Sequence, residues 1–192
     1  MSGADRDKWN KRYREGAYTE RLHPSALLEA WVPAIPPGRA LDVACGAGRN
    51  ALYLAAQGFT VDAVDISADA LTRARETAQR TALELNWVEH DLDEPLPLDA
   101  SYQLILIVRY VNLPLIERLA ASLVPGGFLV CEQHLLTEAD VIGPTNPAFR
   151  VGPGDLLAAA EGLKVDYLEE GLVQEPDGCM AALARLVARN CQ

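Results

Sequence analysis

Residues 40–49 read Ala-Leu-Asp-Val-Ala-Cys-Gly-Ala-Gly-Arg, and residues 61–65, Val-Asp-Ala-Val-Asp, close on Asp65 seventeen positions after Gly48. An apolar run that ends in Gly-x-Gly is a strand passing into a helix. Glycines at that turn let backbone approach a ligand where a side chain would collide. An acidic residue at the end of the next apolar run can accept hydrogen bonds from both hydroxyls of a ribose. Together the two segments describe a nucleoside-binding βαβ unit.

Asp42 narrows the choice of nucleoside. In dinucleotide sites the helix N-terminus after the glycines receives a pyrophosphate, and the strand before it is apolar. Here a carboxylate stands at the strand end, four residues before Gly46. It repels a pyrophosphate and suits a cation. S-adenosylmethionine carries a sulfonium and an ammonium and no phosphate, so the residues favour it as the cofactor. A nicotinamide-dependent oxidoreductase is the alternative, because Gly46, Gly48 and Ala51 fit Gly-x-Gly-x-x-Ala loosely. A chain of 192 residues offers little room for the second catalytic domain that such an enzyme needs.

Working outward, strands are expected at 40–44, 59–65, 84–89, 103–108 and 127–132. Helices are expected at 49–57, 68–82 and 112–123, with Ser67 as an N-cap. The run Gln103-Leu-Ile-Leu-Ile-Val108 is continuously apolar, as in a strand buried on both faces of a parallel sheet. Pro125-Gly126-Gly127 reads as a sharp turn into the fifth strand. This order predicts an α/β fold, a doubly wound sheet with ligands at the carboxyl ends of its strands. Residues 137–154 read as a long loop, 155–161 as a helix, and 165–171 and 179–188 as a closing strand pair. Glu175-Pro176-Asp177-Gly178 is the turn between that pair. Upstream, residues 5–15 and 25–32 read as two helices, so residues 1–36 form an N-terminal helical cap on a domain spanning 37–192.

The balance of 17 basic against 27 acidic residues gives a net charge of −10. Phosphate neutralisation needs clustered Lys and Arg, so a nucleic-acid partner is disfavoured. Basic residues gather only in 6–14, interleaved with acids, which reads as a solvated helix face. The four cysteines are far apart and no metal-ligand spacing occurs, so no metal site is expected. No run reaches the ~20 apolar residues that span a bilayer, and the N-terminus has no apolar signal core. The expectations are a cytoplasmic protein, monomer or homodimer, with a small-molecule partner and no membrane.

The succession Leu-Asp-Val-Ala-Cys-Gly-Ala-Gly-Arg-Asn, Val-Asp-Ala-Val-Asp-Ile-Ser, His-Asp-Leu and Leu-Val-Pro-Gly-Gly resembles class I S-adenosylmethionine-dependent methyltransferases. Gly-Arg-Asn-Ala-Leu-Tyr-Leu-Ala and Asn-Pro-Ala-Phe-Arg-Val-Gly-Pro-Gly-Asp-Leu are similar to the small bacterial enzymes of the tellurite-resistance (TehB-like) type. The resemblance implies a seven-stranded Rossmann-like sheet with the last strand antiparallel. It implies that Asp42, Ala44 and Gly46 face the methionine part of the donor, with Gly48 in the same loop. Asp65 would hold the ribose, Ile66 would pack on the adenine, and Asp91 and Leu92 would face its edge. Val108 and Arg109 would lie by the transferring methyl, and Tyr13 and Arg14 would reach the donor carboxylate from the cap.

Methyl transfer from a sulfonium is an in-line displacement with a good leaving group, so positioning matters more than acid–base groups. Arg109 and His134 are the catalytic candidates, His134 as a base toward an acceptor proton. A structural ion pair at Arg109 reads equally well, and a lone histidine such as His134 is more often a satisfied structural residue than a base. A non-catalytic S-adenosylmethionine sensor with the same donor site is the further alternative.

Overall fold

Val43 and Val64 stand opposite each other in the first two strands, and this pairing begins the sheet. The computed structural model describes residues 3–98, 100–175 and 178–192. The strands are β1 (Arg39–Val43), β2 (Thr60–Asp65), β3 (Asn86–Glu89), β4 (Tyr102–Val108), β5 (Leu123–His134), β6 (Lys164–Gln174) and β7 (Met180–Arg189). The helices are α1 (Gly3–Arg14), α2 (Ala26–Trp31), α3 (Arg49–Ala56), α4 (Ala68–Arg80), α5 (Leu113–Ala120) and α6 (Asp155–Ala159). The strands run in the order β3-β2-β1-β4-β5-β7-β6. β1, β2 and β3 pair in parallel, while β7 lies antiparallel between β5 and β6. This is the expected α/β architecture, a seven-stranded sheet with an antiparallel end. No described helix is long and apolar enough to cross a membrane.

Two compact units divide the chain after Tyr102. The first holds α1 to β3. Asp5 in the first turn of α1, and Lys11, Arg12 and Arg14 in its last, complement the helix dipole. The helix buries none of its residues fully, so it depends on polar clasps rather than a core. Ser67 caps α4 as expected, its Oγ accepting from the Ala70 amide at 3.1 Å.

The second unit holds the rest of β4 and everything after it. Leu104, Ile105, Leu106 and Ile107 are almost completely buried, as the apolar run requires. Asn112 caps α5, accepting from the Leu115 amide at 3.1 Å. Three expectations are corrected here. Pro125-Gly126-Gly127 is not a turn before the strand but part of β5, which starts at Leu123. The cause is Asn190, beyond β7: its carbonyl accepts from Gly126 N at 2.7 Å and its amide donates to Gly127 O at 2.9 Å. The same early start of β5 ends α5 at Ala120 instead of 123. β6 runs to Gln174, longer than expected, with a bulge between Val165 and Tyr167. Pro176 and Asp177 of the expected hairpin turn lie outside the described residues.

Residues 137–154 form a strap with one 3-10 turn, Pro147–Phe149. Arg150 pins it, donating to Leu135 O and Pro144 O at 2.8 Å each. Bridges at Leu135/Val151 and Ile142/Ala181 fix its ends.

Candidate functional site

β1 delivers Asp42 to the loop that leads into α3. The side chain is 1% exposed, and its Oδ2 has no hydrogen-bond partner among the described residues. Burial, with Asp65 adding repulsion, raises the carboxyl to about 7, against the pull of Arg49 and the Ala51 amide. An ionisable oxygen buried and unpartnered is costly in a folded protein unless a ligand completes it.

Three left-handed residues bend the loop: Ala44 (φ 55°), Gly46 (57°) and Gly48 (79°). Ala44 adopts this conformation without glycine's freedom, and such strain concentrates at functional sites. The Cys45 amide donates to Val64 O at 3.0 Å and ties the loop to β2. The two glycines do different work. A Cβ on Gly48 would lie 2.7 Å from the Trp87 ring and 3.1 Å from Ala74, so Gly48 serves helix–sheet packing. A Cβ on Gly46 would run into the Tyr13 hydroxyl. Burial pushes the Cys45 thiol well up, so it stays protonated as a small core group.

Asp65, at the end of β2, accepts from Gly46 N at 2.7 Å through Oδ2 and from Ser67 N at 2.8 Å through Oδ1. It therefore both sets the glycine loop and starts α4. Burial raises it while the Ser67, Gly46 and Ile66 amides hold it down. A carboxylate offers about four lone-pair sites, so two amides leave acceptor capacity. Ile66 is buried beside it, and Leu92 is fully buried. Asp91 accepts from the Asp93 amide at 3.0 Å, a turn after β3.

α1 closes on this loop through contacts that sequence reading missed. Asn10 Oδ1 accepts from Ser67 Oγ at 2.8 Å and from Asp69 N at 3.3 Å. Arg73 donates to the carbonyls of Tyr13 and Ala17. Arg14 lies 3.7 Å from Asp69 and is largely exposed. The signal for Asn10 was present: it stands one residue after Trp9, on a helix too polar to hold by apolar packing.

In the second unit, Val108 ends β4 and Arg109 follows with φ 60°. The Arg109 amide donates to Glu132 O at 2.8 Å, and its Nε donates to Glu132 Oε1 at 3.1 Å. Its Nη1 lies 3.1 Å from both ring nitrogens of His134, and its Nη2 lies 2.6 Å from Glu175 Oε1. Glu132 is 2% exposed and also accepts from Arg185 Nε at 3.0 Å. Arg185 continues to Glu169 at 3.4 Å. Glu132, Arg185 and Glu169 occupy one register line across β5, β7 and β6. His134 is 8% exposed, and a Cβ on Gly143 of the strap would meet its Nδ1 at 2.7 Å. The structure thus brings the two catalytic candidates together, in contact with acids the sequence reading did not single out. A lone glutamate within Leu-Val-Cys-Glu-Gln-His was the available signal, because a charge in an apolar strand requires a partner.

Residues 40–127 match the family model described as a methyltransferase domain. That match takes in less than half of the chain. Its fold is that of the class I, TehB-like S-adenosylmethionine-dependent methyltransferases. The crystal structure of TehB from Haemophilus influenzae superposes with a TM-score of 0.74 at 21% identity, over 96% of this chain and 66% of that one. Magnesium protoporphyrin IX methyltransferase from Synechocystis, with bound SAH, superposes at 0.70 and 16% identity, over 97% and 98% of the two chains. In sequence, the ribosomal RNA small subunit methyltransferase B of Thermus thermophilus is 30% identical over 75% of this chain. The match spans only 45% of that relative's length.

Proposed function

We propose that this chain transfers a methyl group from S-adenosylmethionine to a small-molecule acceptor. The observation that carries the reading is the buried, unpartnered Oδ2 of Asp42 beside the left-handed glycine loop. A cationic group completes such an oxygen, and a pyrophosphate does not. The residues present fit the donor: Asp42, Ala44 and Gly46 toward its methionine part, Asp65 toward its ribose diol, Ile66 and the turn at Asp91 and Leu92 toward its base. When bound, the donor supplies a methyl on a sulfonium, open to in-line displacement.

The chain's own residues bind, orient and exclude water. Asp65 fixes the Gly46 amide and Tyr13 covers the same glycine, so α1 is the element that closes the loop against solvent. Tyr13 and Arg14 belong to the 1–36 cap, which we read as a lid. At the end of β4, Arg109 is the residue offered to the acceptor. His134 accepts from its guanidinium and positions it.

An RNA acceptor, as the name of the Thermus relative states for that protein, has less support. The net charge is −10, and four of the basic residues of α1 are engaged: Lys8 and Arg12 over Trp9, Arg12 also over Tyr18, Lys11 with Glu15 at 3.8 Å, and Arg14 with Asp69. Calorimetry tests the donor: S-adenosylhomocysteine binds and NAD does not. Binding of NAD alone overturns the reading. Release of S-adenosylhomocysteine on incubating the donor with a panel of small acceptors tests catalysis. A protein that binds the donor and methylates none of them is a sensor.

A further inference from the structure

Among the described residues of the second unit, Arg109 is the non-glycine residue with a left-handed backbone. A bulky residue holds that conformation only where its surroundings over-determine it. Three contacts do so from inside the fold: the amide to Glu132 O, Nε to Glu132 Oε1, and Nη1 to the His134 ring. The fourth contact is of another kind. Glu175 follows the last residue of β6 and is 23% exposed at the side chain, against 3% for Glu132. Glu175 reaches Arg109 from the surface, at 2.6 Å, on Nη2, which also lies 3.1 Å from Glu132 Oε1.

We infer that Glu175 stands in for a carboxylate of the methyl acceptor, and that Arg109 selects acceptors of that class by exchanging one carboxylate for the other. The inference rests on the methyl-transfer reading. Ligands of parallel sheets lie at the carboxyl ends of the strands, and Arg109 is the residue after β4. Its planar fork matches a carboxylate.

Charge decides between a carboxylate and a phosphate. Arg109 and Arg185 face Glu132, Glu169 and Glu175, three acids for two guanidiniums. A monoanion that takes Glu175's place leaves this balance unchanged. A phosphate dianion adds charge that Glu132 and Glu169 oppose. Cys179, which is hydrogen-bonded to Glu175, also borders a shallow depression. The Glu175 amide donates to Cys179 O at 2.8 Å, and Cys179, Val141, Ile142 and Met180 line the depression beside Asp140.

The test titrates the full chain, saturated with S-adenosylhomocysteine, with benzoate, benzamide and inorganic phosphate. In Glu175→Gln, benzoate is expected to bind at least tenfold more tightly than in the unaltered protein, while benzamide is unchanged. Adding Arg109→Gln to Glu175→Gln abolishes the gain. Adding Arg109→Lys instead retains part of it, which separates lost recognition from lost folding. Equal responses of benzoate and benzamide, or a larger gain for phosphate than for benzoate, overturn the inference. Saturation with S-adenosylhomocysteine is measured first, so a failed donor reading shows there and not in the benzoate series.

Discussion

The two units handle buried acids in opposite ways. In the first, Asp42 keeps a buried oxygen without a partner, and Asp65 is held by backbone amides alone. In the second, Glu132 is equally buried and is gripped by two guanidiniums. A paired charge is bound into the fold itself, and removing either side leaves the other stranded. An unpaired one destabilises the fold and is completed from outside. The contrast separates a scaffold charge from a ligand-binding charge without reference to any relative.

The largest effect is expected where the pairing is complete. Glu132→Ala removes the buried acid that Arg109 and Arg185 share, leaving them the more exposed Glu175 and Glu169, and should cost about 3–5 kcal/mol, as for other broken buried pairs. Denaturant unfolding measures it. A loss under about 1 kcal/mol would place Glu132 with surface ion pairs and remove the contrast.

Asp42→Asn should act with the opposite sign. A carboxyl held near 7, against about 3.9 in an unfolded chain, favours the protonated fold. Its contribution is fully present below about pH 4 and is lost as pH rises through about 7. At pH 8 the ionised form opposes folding by up to about 4 kcal/mol. The variant should therefore be more stable than the unaltered protein at pH 8, by about 2–4 kcal/mol, and gain nothing at pH 4. Thermal melts at the two pH values check it. Equal melting shifts at both would show that Asp42 is not buried alone.

Asp65→Ala comes next. It removes an acceptor for the ribose and frees the Gly46 amide, so the affinity for S-adenosylhomocysteine should fall by about 1–3 kcal/mol. Unchanged affinity in a folded variant would remove Asp65 from the donor site. The smallest pair of effects lies in α1. Arg14→Ala breaks an exposed contact and should cost under about 0.5 kcal/mol. Asn10→Ala breaks the clasp to Ser67 and Asp69 and should cost about 1 kcal/mol. Hydrogen exchange of residues 5–20 reads out the same clasp, and should slow when S-adenosylhomocysteine binds.

The glycine loop and its strands were legible because their signals are local. Apolar runs mark β1, β2 and β4, and Ser67 announces α4 by its own chemistry. The early start of β5 was not legible, because it depends on Asn190, more than sixty residues away. The same holds for the charged cluster. Arg109 and His134 could be picked as candidates from their strand ends, but Glu132 and Arg185 meet through sheet register, and Glu175 reaches Arg109 from just beyond β6. Tyr13 could be placed on a cap, but not its seat over Gly46, which depends on Asn10 and Arg73 holding α1.

The central claim is that Asp42 is a ligand-binding carboxylate, and the pH dependence of S-adenosylhomocysteine affinity tests it most directly. Below pH 7 the protonated carboxyl has no charge to offer the ligand's ammonium. Calorimetry between pH 5.5 and 8 should show affinity rising by about tenfold per pH unit up to about 7 and levelling above it. In Asp42→Asn affinity should be low throughout, without that rise. A flat profile in the unaltered protein, or an unchanged profile in Asp42→Asn, would contradict the account.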